Sequence, residues 1–287
     1  MTLADRVTVS ILTYNRAPEL ERTLEQALGT AAGARILVID NGSTDGTPDL
    51  LRRFAPRIRH IRLRENTGAA GRNIGVLFAT TPYVALCDDD CWWARGSLAA
   101  AADALDEHPH VAIVTARVLV GPEEREDPTC SLMAESPLPT TADLPGHPIL
   151  GFLAGASMVR RRAFLSAGGF EPRFFLGGEE RLLAVDLASD GWSMVYLPEA
   201  TVHHHPSPAR DAAERRALLA RNALWFSWLR RPLRSALKST ARVLGRAAAD
   251  PAVLRGALSA VGGLGWIARN RHVVPDEIER ALRMVAD

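Results

Sequence analysis

The chain has 287 residues, of which 47% are hydrophobic and 23% are charged, so it is long enough to bury a large core. A formal net charge of +1 excludes the strongly basic balance of many nucleic-acid-binding proteins, and we expect no nucleic-acid partner. The three cysteines make no disulfide framework, no uncharged run reaches the length of a membrane span, and no signal-peptide pattern is present; these features predict a cytoplasmic protein.

The N-terminal part of the chain alternates between strand and helix patterns. Short apolar runs rich in β-branched residues predict strands at 7–13, 36–39, 58–63, 83–87 and 111–120. Capping residues and helical spacing predict helices that begin near Pro18, Thr47, Ala69 and Ser97. This alternation predicts βαβ units, and hence an α/β fold with a mostly parallel sheet flanked by helices.

The regular pattern is lost over residues 121–148, which hold six prolines and little periodicity. A loop of this length in a compact domain is usually functional or disordered. After it, the sequence predicts a short helix at 162–167, a longer helix after Gly178, and two strands at 194–197 and 201–204.

Beyond Ser207 the chain becomes basic and helical, so we divide it into an α/β domain of residues 1–207 and a helical extension of residues 208–287. Helices are predicted at 210–229, 236–249, 252–268 and 276–285. The first contains Trp225, Phe226, Trp228 and Leu229 beside several arginines. Two interpretations are open: a buried stripe packed on the α/β domain or on a second subunit of a homodimer, or a peripheral contact with the inner face of a membrane.

Three consecutive aspartates, Asp88, Asp89 and Asp90, follow the predicted strand at 83–87. In open α/β sheets ligands collect at the carboxyl ends of strands. Adjacent carboxylates repel one another unless a cation neutralises them, and oxygen ligands in this setting suit Mg²⁺ or Mn²⁺. The alternative is a solvated acidic turn.

Nine segments, taken in this order, resemble the family 2 glycosyltransferases of the GT-A fold, which are inverting enzymes that use a nucleotide-diphosphate sugar. The resemblance extends from about Val7 to His205. The segments are residues 11–16, 38–47, 66–68, 71–75, 88–90, 178–180, 191–192, 196–200 and 203–205.

The resemblance implies a site for the nucleotide, the diphosphate and a divalent cation, Mg²⁺ or Mn²⁺. Metal ligation falls to Asp90 and to one of three histidines, of which His204 fits best, because His203 and His205 point the other way in a regular strand. The residues implied for nucleotide-sugar binding are Thr13, Tyr14, Asn15, Arg16, Asp40, Gly68, Arg72, Asp88 and Asp89.

Several of these residues have simpler interpretations. Asp40 is implied to accept a hydrogen bond from a uracil or thymine base, and the alternative is that it only stabilises the turn that follows it. Arg72, implied to bind phosphate oxygens, is otherwise an exposed helix arginine. Trp92 and Trp93 either wall the substrate site or pack in the core.

The catalytic residues implied by the resemblance are Glu180, as the base that deprotonates the acceptor, and Glu179, which positions a hydroxyl group. The family usually has Glu-Asp here, so the second glutamate departs from its pattern by one methylene. Both acids stand at a predicted helix N-terminus, which favours their charged forms; the alternative is that they only stabilise that helix.

The resulting hypothesis is a metal-dependent inverting glycosyltransferase that uses a UDP- or dTDP-sugar. The acceptor is open: a small molecule, glycan, peptide or lipid-linked molecule, selected by the loop at 121–148, by the small residues at 151–157 and by the extension. A sugar-phosphate nucleotidylyltransferase and a non-catalytic nucleotide-sugar-binding module are the alternatives. A nucleotidylyltransferase usually has a glycine-rich, basic N-terminal loop, which residues 13–16 do not form. The non-catalytic module is favoured only by the glutamate at position 180.

Overall fold

The computed structural model describes residues 1–31, 33–207 and 212–285. Within them the strands are β1 Val7–Thr13, β2 Arg35–Asp40, β3 Arg59–Arg62, β4 Tyr83–Asp88, β5 Cys91–Trp93, β6 Val111–Val120, β7 Arg125–Glu126, β8 His147–Pro148, β9 Ser157–Arg160 and β10 Ser193–His204. The helices are α1 Leu3–Arg6, α2 Ala17–Thr30, α3 Thr47–Phe54, α4 Gly71–Phe78, α5 Ser97–Glu107, α6 Pro128–Ala134, α7 Arg161–Ser166, α8 Glu179–Ser189, α9 Ala212–Arg230, α10 Leu233–Ala247, α11 Pro251–Ala260, α12 Leu264–Asn270 and α13 Asp276–Met284.

One sheet runs through the α/β domain in the order β3-β2-β1-β4-β9-β6-β10-β5. The first four strands are parallel, as predicted, and helices connect them. The other half is mixed, because β9 runs antiparallel between β4 and β6 while β6 and β10 are parallel. The α/β fold predicted from the alternation is therefore confirmed, with its parallel character concentrated in the N-terminal half.

The register of the parallel strands brings their carboxyl ends together. Thr13 at the end of β1 lies opposite Asp40 at the end of β2, and Leu12 lies opposite Asp88 at the end of β4. The core beneath these ends is formed by strand residues such as Ile11, which is fully buried. The predicted strand tips thus meet at one edge of the sheet.

Two predicted elements have a different form in the structure. The strands expected at 194–197 and 201–204 are one strand, β10, whose register against β6 shifts between Leu197 and Thr201. The proline-rich loop contains β7, α6 and β8, so it is partly ordered secondary structure. Asp127 begins α6 by accepting a hydrogen bond from the Thr129 backbone N–H at 2.8 Å.

The extension packs through the aromatic residues of its first helix. Trp225, Phe226 and Leu229 are buried, and the Trp225 indole donates to the Ala260 carbonyl at 2.9 Å. Between packing and membrane contact, these residues therefore serve packing. The predicted helix start at Arg210 and the first residue of the predicted extension, 208, lie outside the described residues.

One segment among the described residues, Pro251–Asn270, is long and apolar enough to cross a membrane, with a mean hydropathy of 1.2. The sequence criterion of an uncharged run excluded it, because it contains Arg255 and Arg269. In the structure a 3-10 turn divides it into α11 and α12. Helices in protein cores meet the same length and hydropathy criterion, so this segment alone is weak support for a membrane span.

Candidate active site

A cleft of about 660 Å³ opens at the carboxyl ends of β1 and β4. Every residue that the sequence predicted for the site lines it, except Asn15 and Asp40. The predicted residues that do line the cleft are Thr13, Tyr14, Arg16, Gly68, Arg72, Asp88, Asp89, Asp90, Glu179, Glu180 and His204.

Asp40 and Asn15 do not line the cleft, but they hold neighbouring loops in place. Asp40 is fully buried, and its Oδ1 accepts a hydrogen bond from the Ser43 backbone N–H at 2.8 Å. Asn15 has a left-handed backbone with φ of 53°, and its Oδ1 accepts from the Thr44 backbone N–H at 2.7 Å. The structure gives Asp40 the turn-stabilising contact, and its contact with a nucleotide base stays a prediction.

The acids after β4 differ sharply in environment. Burial raises the pKa of Asp89 to about 7, although the Arg16 guanidinium lies 3.8 Å from its Oδ1. Burial also acts on Asp90, but His204, Cys91 and Arg16 together hold the pKa of its carboxyl below the ordinary value. Asp90 is therefore the buried acid that is held in its charged form.

Asp90, Cys91 and His204 place their ligand atoms within 4.8 Å of one another. His204 Nε2 lies 3.5 Å from Asp90 Oδ1, because β10 and β5 pair His204 opposite Cys91. Burial raises the pKa of the Cys91 thiol well above its ordinary value, so this sulfur stays protonated. The donors left are a carboxylate oxygen and an imidazole nitrogen, which fit Mn²⁺ or Mg²⁺ shared with substrate phosphates.

The three histidines at the end of β10 alternate in direction, as a regular strand requires. His203 Nδ1 lies 3.0 Å from Glu124 Oε1, and both His203 and His205 pack on the ring of Trp92. Trp92 and Trp93 are buried, as the packing interpretation predicted. Of the three histidines, His204 is the one that lines the cleft.

Arg72 is buried between the acidic strand tip and the glutamate pair. Its Nη2 donates to Asp88 Oδ1, while its Nε has no hydrogen-bond partner among the described residues. Burial opposes its charge, but Asp88 and Glu180 hold the pKa of the guanidinium above its ordinary value. Gly155 makes room for this pair, because a Cβ there would lie 2.6 Å from Asp88 Oδ2.

Glu179 and Glu180 begin α8, directly after two glycines with φ of 87° and 90°. Glu179 is buried; its Oε2 has no hydrogen-bond partner within the described ranges, and burial together with Glu180 raises its pKa to about 8. Glu180 is half-buried, and burial raises its pKa too, although Arg72 opposes this. At neutral pH Glu179 is therefore mostly protonated and can donate a hydrogen bond.

Asn222 of α9 is a positioning residue that the sequence did not reveal. It is buried, and its Nδ2 lies within hydrogen-bonding distance of the carbonyls of Phe174, Leu176 and Gly177, at 2.8, 3.1 and 2.6 Å. These carbonyls belong to the turn that leads into the glutamate pair. The sequence signal that could have identified it is a polar residue within an aromatic stretch of a helix.

The loop and the extension also line the cleft, as the sequence suggested in general terms. Asp127 and Thr129 come from the start of α6, and Arg215 and Leu218 come from the first turns of α9. No sequence pattern distinguished these residues from their neighbours. That the loop and the extension select the acceptor stays a prediction.

The family model described as glycosyl transferase family 2 matches residues 8–167. The chain belongs to this family. A protein of Mycobacterium tuberculosis named N-acetylglucosaminyl-diphospho-decaprenol L-rhamnosyltransferase is 30% identical to it over 279 residues, covering 83% of this chain and 91% of that protein. The chain is accordingly a glycosyltransferase, which decides against the nucleotidylyltransferase and the non-catalytic module.

Solved structures share its fold. The mannosyltransferase PcManGT from Pyrobaculum calidifontis, in complex with GDP-Man and Mn²⁺, superposes with a TM-score of 0.61 at 23% identity, covering 98% of this chain and 86% of that one. Staphylococcus aureus TarS, in complex with UDP-GlcNAc, gives 0.58 at 18% identity, covering 76% and 66%. These similarities place the chain in the GT-A fold.

Replacing Asn222 tests its positioning role. We expect Asn222→Ala and Asn222→Asp to lower kcat by about 10–100-fold with little change in the donor KM, because the turn that presents the glutamates loses its donor. Steady-state kinetics measures this, and Asn270→Ala, an exposed asparagine of the extension, is the control. An unchanged kcat in a folded Asn222→Asp variant would rule out the role.

Burial of Glu179 also predicts a pH dependence of stability. An unfolded glutamate has a pKa of about 4.3, whereas that of folded Glu179 is about 8. Between these values the folded state binds more protons, so the free energy of unfolding should fall as the pH rises from about 5 to about 8. Denaturant titrations should show that the free energy of unfolding falls less with pH in Glu179→Gln, where only the contribution of Glu180 remains. The exposed control Glu107→Gln should show the same pH dependence as the wild type. An equal fall of the unfolding free energy in Glu179→Gln and the wild type would contradict this assignment to Glu179.

Proposed function

We propose that this enzyme is a metal-dependent inverting glycosyltransferase that moves a sugar, with a deoxyhexose such as L-rhamnose as the first candidate, from a UDP- or dTDP-sugar to a hydroxyl of a lipid-linked saccharide. One observation carries the proposal: the acidic tip after β4, His204 and the glutamate pair line the same cleft. The donor's diphosphate and the acceptor's reacting hydroxyl can therefore be held side by side.

The nucleotide end of the donor fits the part of the cleft formed by the loop after β1. Thr13, Tyr14 and Arg16 line it, and Tyr14 is exposed enough to offer its ring to a base. Gly68 also lines the cleft, and it packs closely on the loop before the glutamate pair, because a Cβ there would lie 2.0 Å from the Phe175 carbonyl oxygen. These contacts support base and ribose binding.

The diphosphate end fits beside the acidic tip. Asp90 and His204 would hold the divalent cation, with substrate phosphates completing its shell. When bound, that cation offsets the negative charge of the leaving diphosphate. Arg72 is buried and cationic, and it contacts Asp88, two positions before Asp90. A guanidinium there is suited to bind a phosphate oxygen.

Glu180 is the base in this proposal. Its carboxylate takes the acceptor's hydroxyl proton while the acceptor oxygen forms a bond to the anomeric carbon. The bond between that carbon and the diphosphate oxygen breaks, and the nucleoside diphosphate leaves with the electron pair. One displacement inverts the anomeric configuration. Glu179, protonated, donates a hydrogen bond to a substrate hydroxyl.

The lipid-linked acceptor is supported by the mycobacterial relative, whose name specifies a diphospho-decaprenol-linked acceptor and L-rhamnose as the transferred sugar. This chain covers 91% of that relative. The exposed Arg215 at the rim is suited to an acceptor's diphosphate. This is a contact that a neutral glycan acceptor would not use.

A donor screen tests the proposal. UDP- and dTDP-sugars are offered with Mn²⁺ or with chelator, with and without a short-chain polyprenyl-diphosphate saccharide, and the product's anomeric configuration is read by NMR. We expect turnover of a UDP- or dTDP-sugar with Mn²⁺ and an inverted product. Turnover in the presence of chelator would contradict the metal dependence. A product with retained anomeric configuration would contradict the inverting mechanism.

The role of Glu180 predicts a rate effect without a binding effect. Glu180→Gln should cut kcat by about 10²–10⁴-fold while donor affinity stays nearly constant, since an amide cannot accept the proton. Stopped-assay kinetics and donor titration measure the two quantities. Glu179→Gln is the matched variant and should lose less. If Glu179→Gln loses the activity and Glu180→Gln keeps it, the base is Glu179.

A further inference from the structure

We propose that the outer face of α10 and α11 binds the surface of an anionic lipid bilayer, so that the enzyme works at the membrane where a lipid-linked acceptor resides. The inference rests on the proposed function, because the lipid-linked acceptor gives membrane binding a role. Its evidence comes from residues outside the active site. It also differs from the sequence hypothesis, which placed membrane contact on the aromatic residues that α9 buries.

Helix α10 is packed with its large apolar side chains outward. It buries the smaller Ala236, Val243 and Ala247, whereas Leu233, Leu237 and Leu244 are each more than half exposed. These leucines follow helical spacing, so they form one stripe. Core packing does not explain a stripe of leucines that faces solvent.

Helix α11 and the turn after it repeat this arrangement. Ala252, Gly256, Ala257 and Ala260 face inward. Leu254, Leu258, Val261 and Leu264 are 45%, 65%, 60% and 57% exposed. They belong to the segment whose hydropathy alone would allow a membrane span, yet only 39% of the 18-residue stretch that meets this criterion is buried in the protein. An amphipathic segment of this kind suits the interface of a bilayer.

The charge of the same surface favours a bilayer over another protein. Beside the leucine stripe of α10 runs an exposed row at intervals of four residues, Arg234, Lys238, Arg242 and Arg246. Helix α10 contains no aspartate or glutamate. Across the described extension, 212–285, 14 lysines and arginines stand against 5 acids. Basic residues beside an apolar stripe match anionic headgroups.

A second copy of the chain is the competing occupant. A two-fold dimer through this face would bring the same patch of each copy together. The basic row of one α10 would then lie near the basic row of the other, and like charges across an interface oppose association. The bilayer is therefore the better match to these residues.

The surface is joined to the cleft by α9. Gly256 of α11 packs so tightly on α9 that a Cβ there would lie 2.1 Å from the Ala217 carbonyl. The same turns of α9 supply cleft residues and the exposed Leu219, which lies against Gly177. Next to it, the exposed Leu176 lines the cleft. An apolar rim thus lies between the cleft and α11, where the chain of a lipid-linked acceptor could pass.

Vesicle co-sedimentation of the full chain tests the inference. With phosphatidylglycerol–phosphatidylcholine vesicles at low salt, we expect the wild type to bind. Leu237→Glu/Leu258→Glu should weaken partitioning by at least about tenfold. Lys238→Gln/Arg242→Gln should weaken it about fivefold per charge, and only in low salt. The matched control Leu77→Glu/Phe78→Glu, which alters two exposed residues of α4, should bind as wild type.

Three further measurements keep the result interpretable. Circular dichroism confirms that each variant is folded, and sedimentation velocity reports its oligomeric state. Turnover of the donor with a short-chain acceptor is followed in the same preparations, so failure of the proposed transfer is separated from failure of vesicle binding. No binding by the wild type would overturn the inference. So would Leu237→Glu/Leu258→Glu dissociating a dimer while binding vesicles normally.

Discussion

The main physical constraint on this structure is the repulsion among the carboxylates that lie together in one cleft. Asp88, Asp89 and Asp90 end one strand, and Glu179 and Glu180 begin one helix on the facing wall. Buried like charges cannot all stay ionised without compensation. The molecule meets this constraint by giving each acid a separate environment, and these environments determine which acids are charged.

The acids divide by their nearest cations and by burial. Asp88 is paired with Arg72, and Asp90 is held charged by His204 and Arg16, whereas Glu179 keeps its proton. A charged buried acid beside an imidazole suits a divalent cation, and a protonated acid can donate a hydrogen bond. Burial raises the pKa of Glu180 while Arg72 opposes that rise, and its role as the base is our proposal. The fold therefore gives chemically similar side chains different environments.

Much of this arrangement was predictable from local pattern. Apolar runs that stop at acids located the strand tips, and the two-residue period of a strand separated His204 from His203. The pattern could not reveal that β9 enters the sheet antiparallel, since pairing between distant segments leaves no local periodicity. Nor could it show that Asp40 is sealed behind its own turn, which depends on the Ser43 backbone. Asn222 escaped prediction for the same reason: its partners are 45 to 48 residues away.

The direct test of the account is Mn²⁺ binding to the acidic tip. Manganese EPR in the presence of UDP or dTDP should show a bound ion in the wild type. Asp90→Ala should bind it at least about tenfold more weakly and lose metal-dependent turnover while keeping its fold; Glu107→Ala, at an exposed acid, should match the wild type. Undiminished Mn²⁺ binding and activity in Asp90→Ala would contradict the account, because the carboxylate cluster would then have no cation to hold.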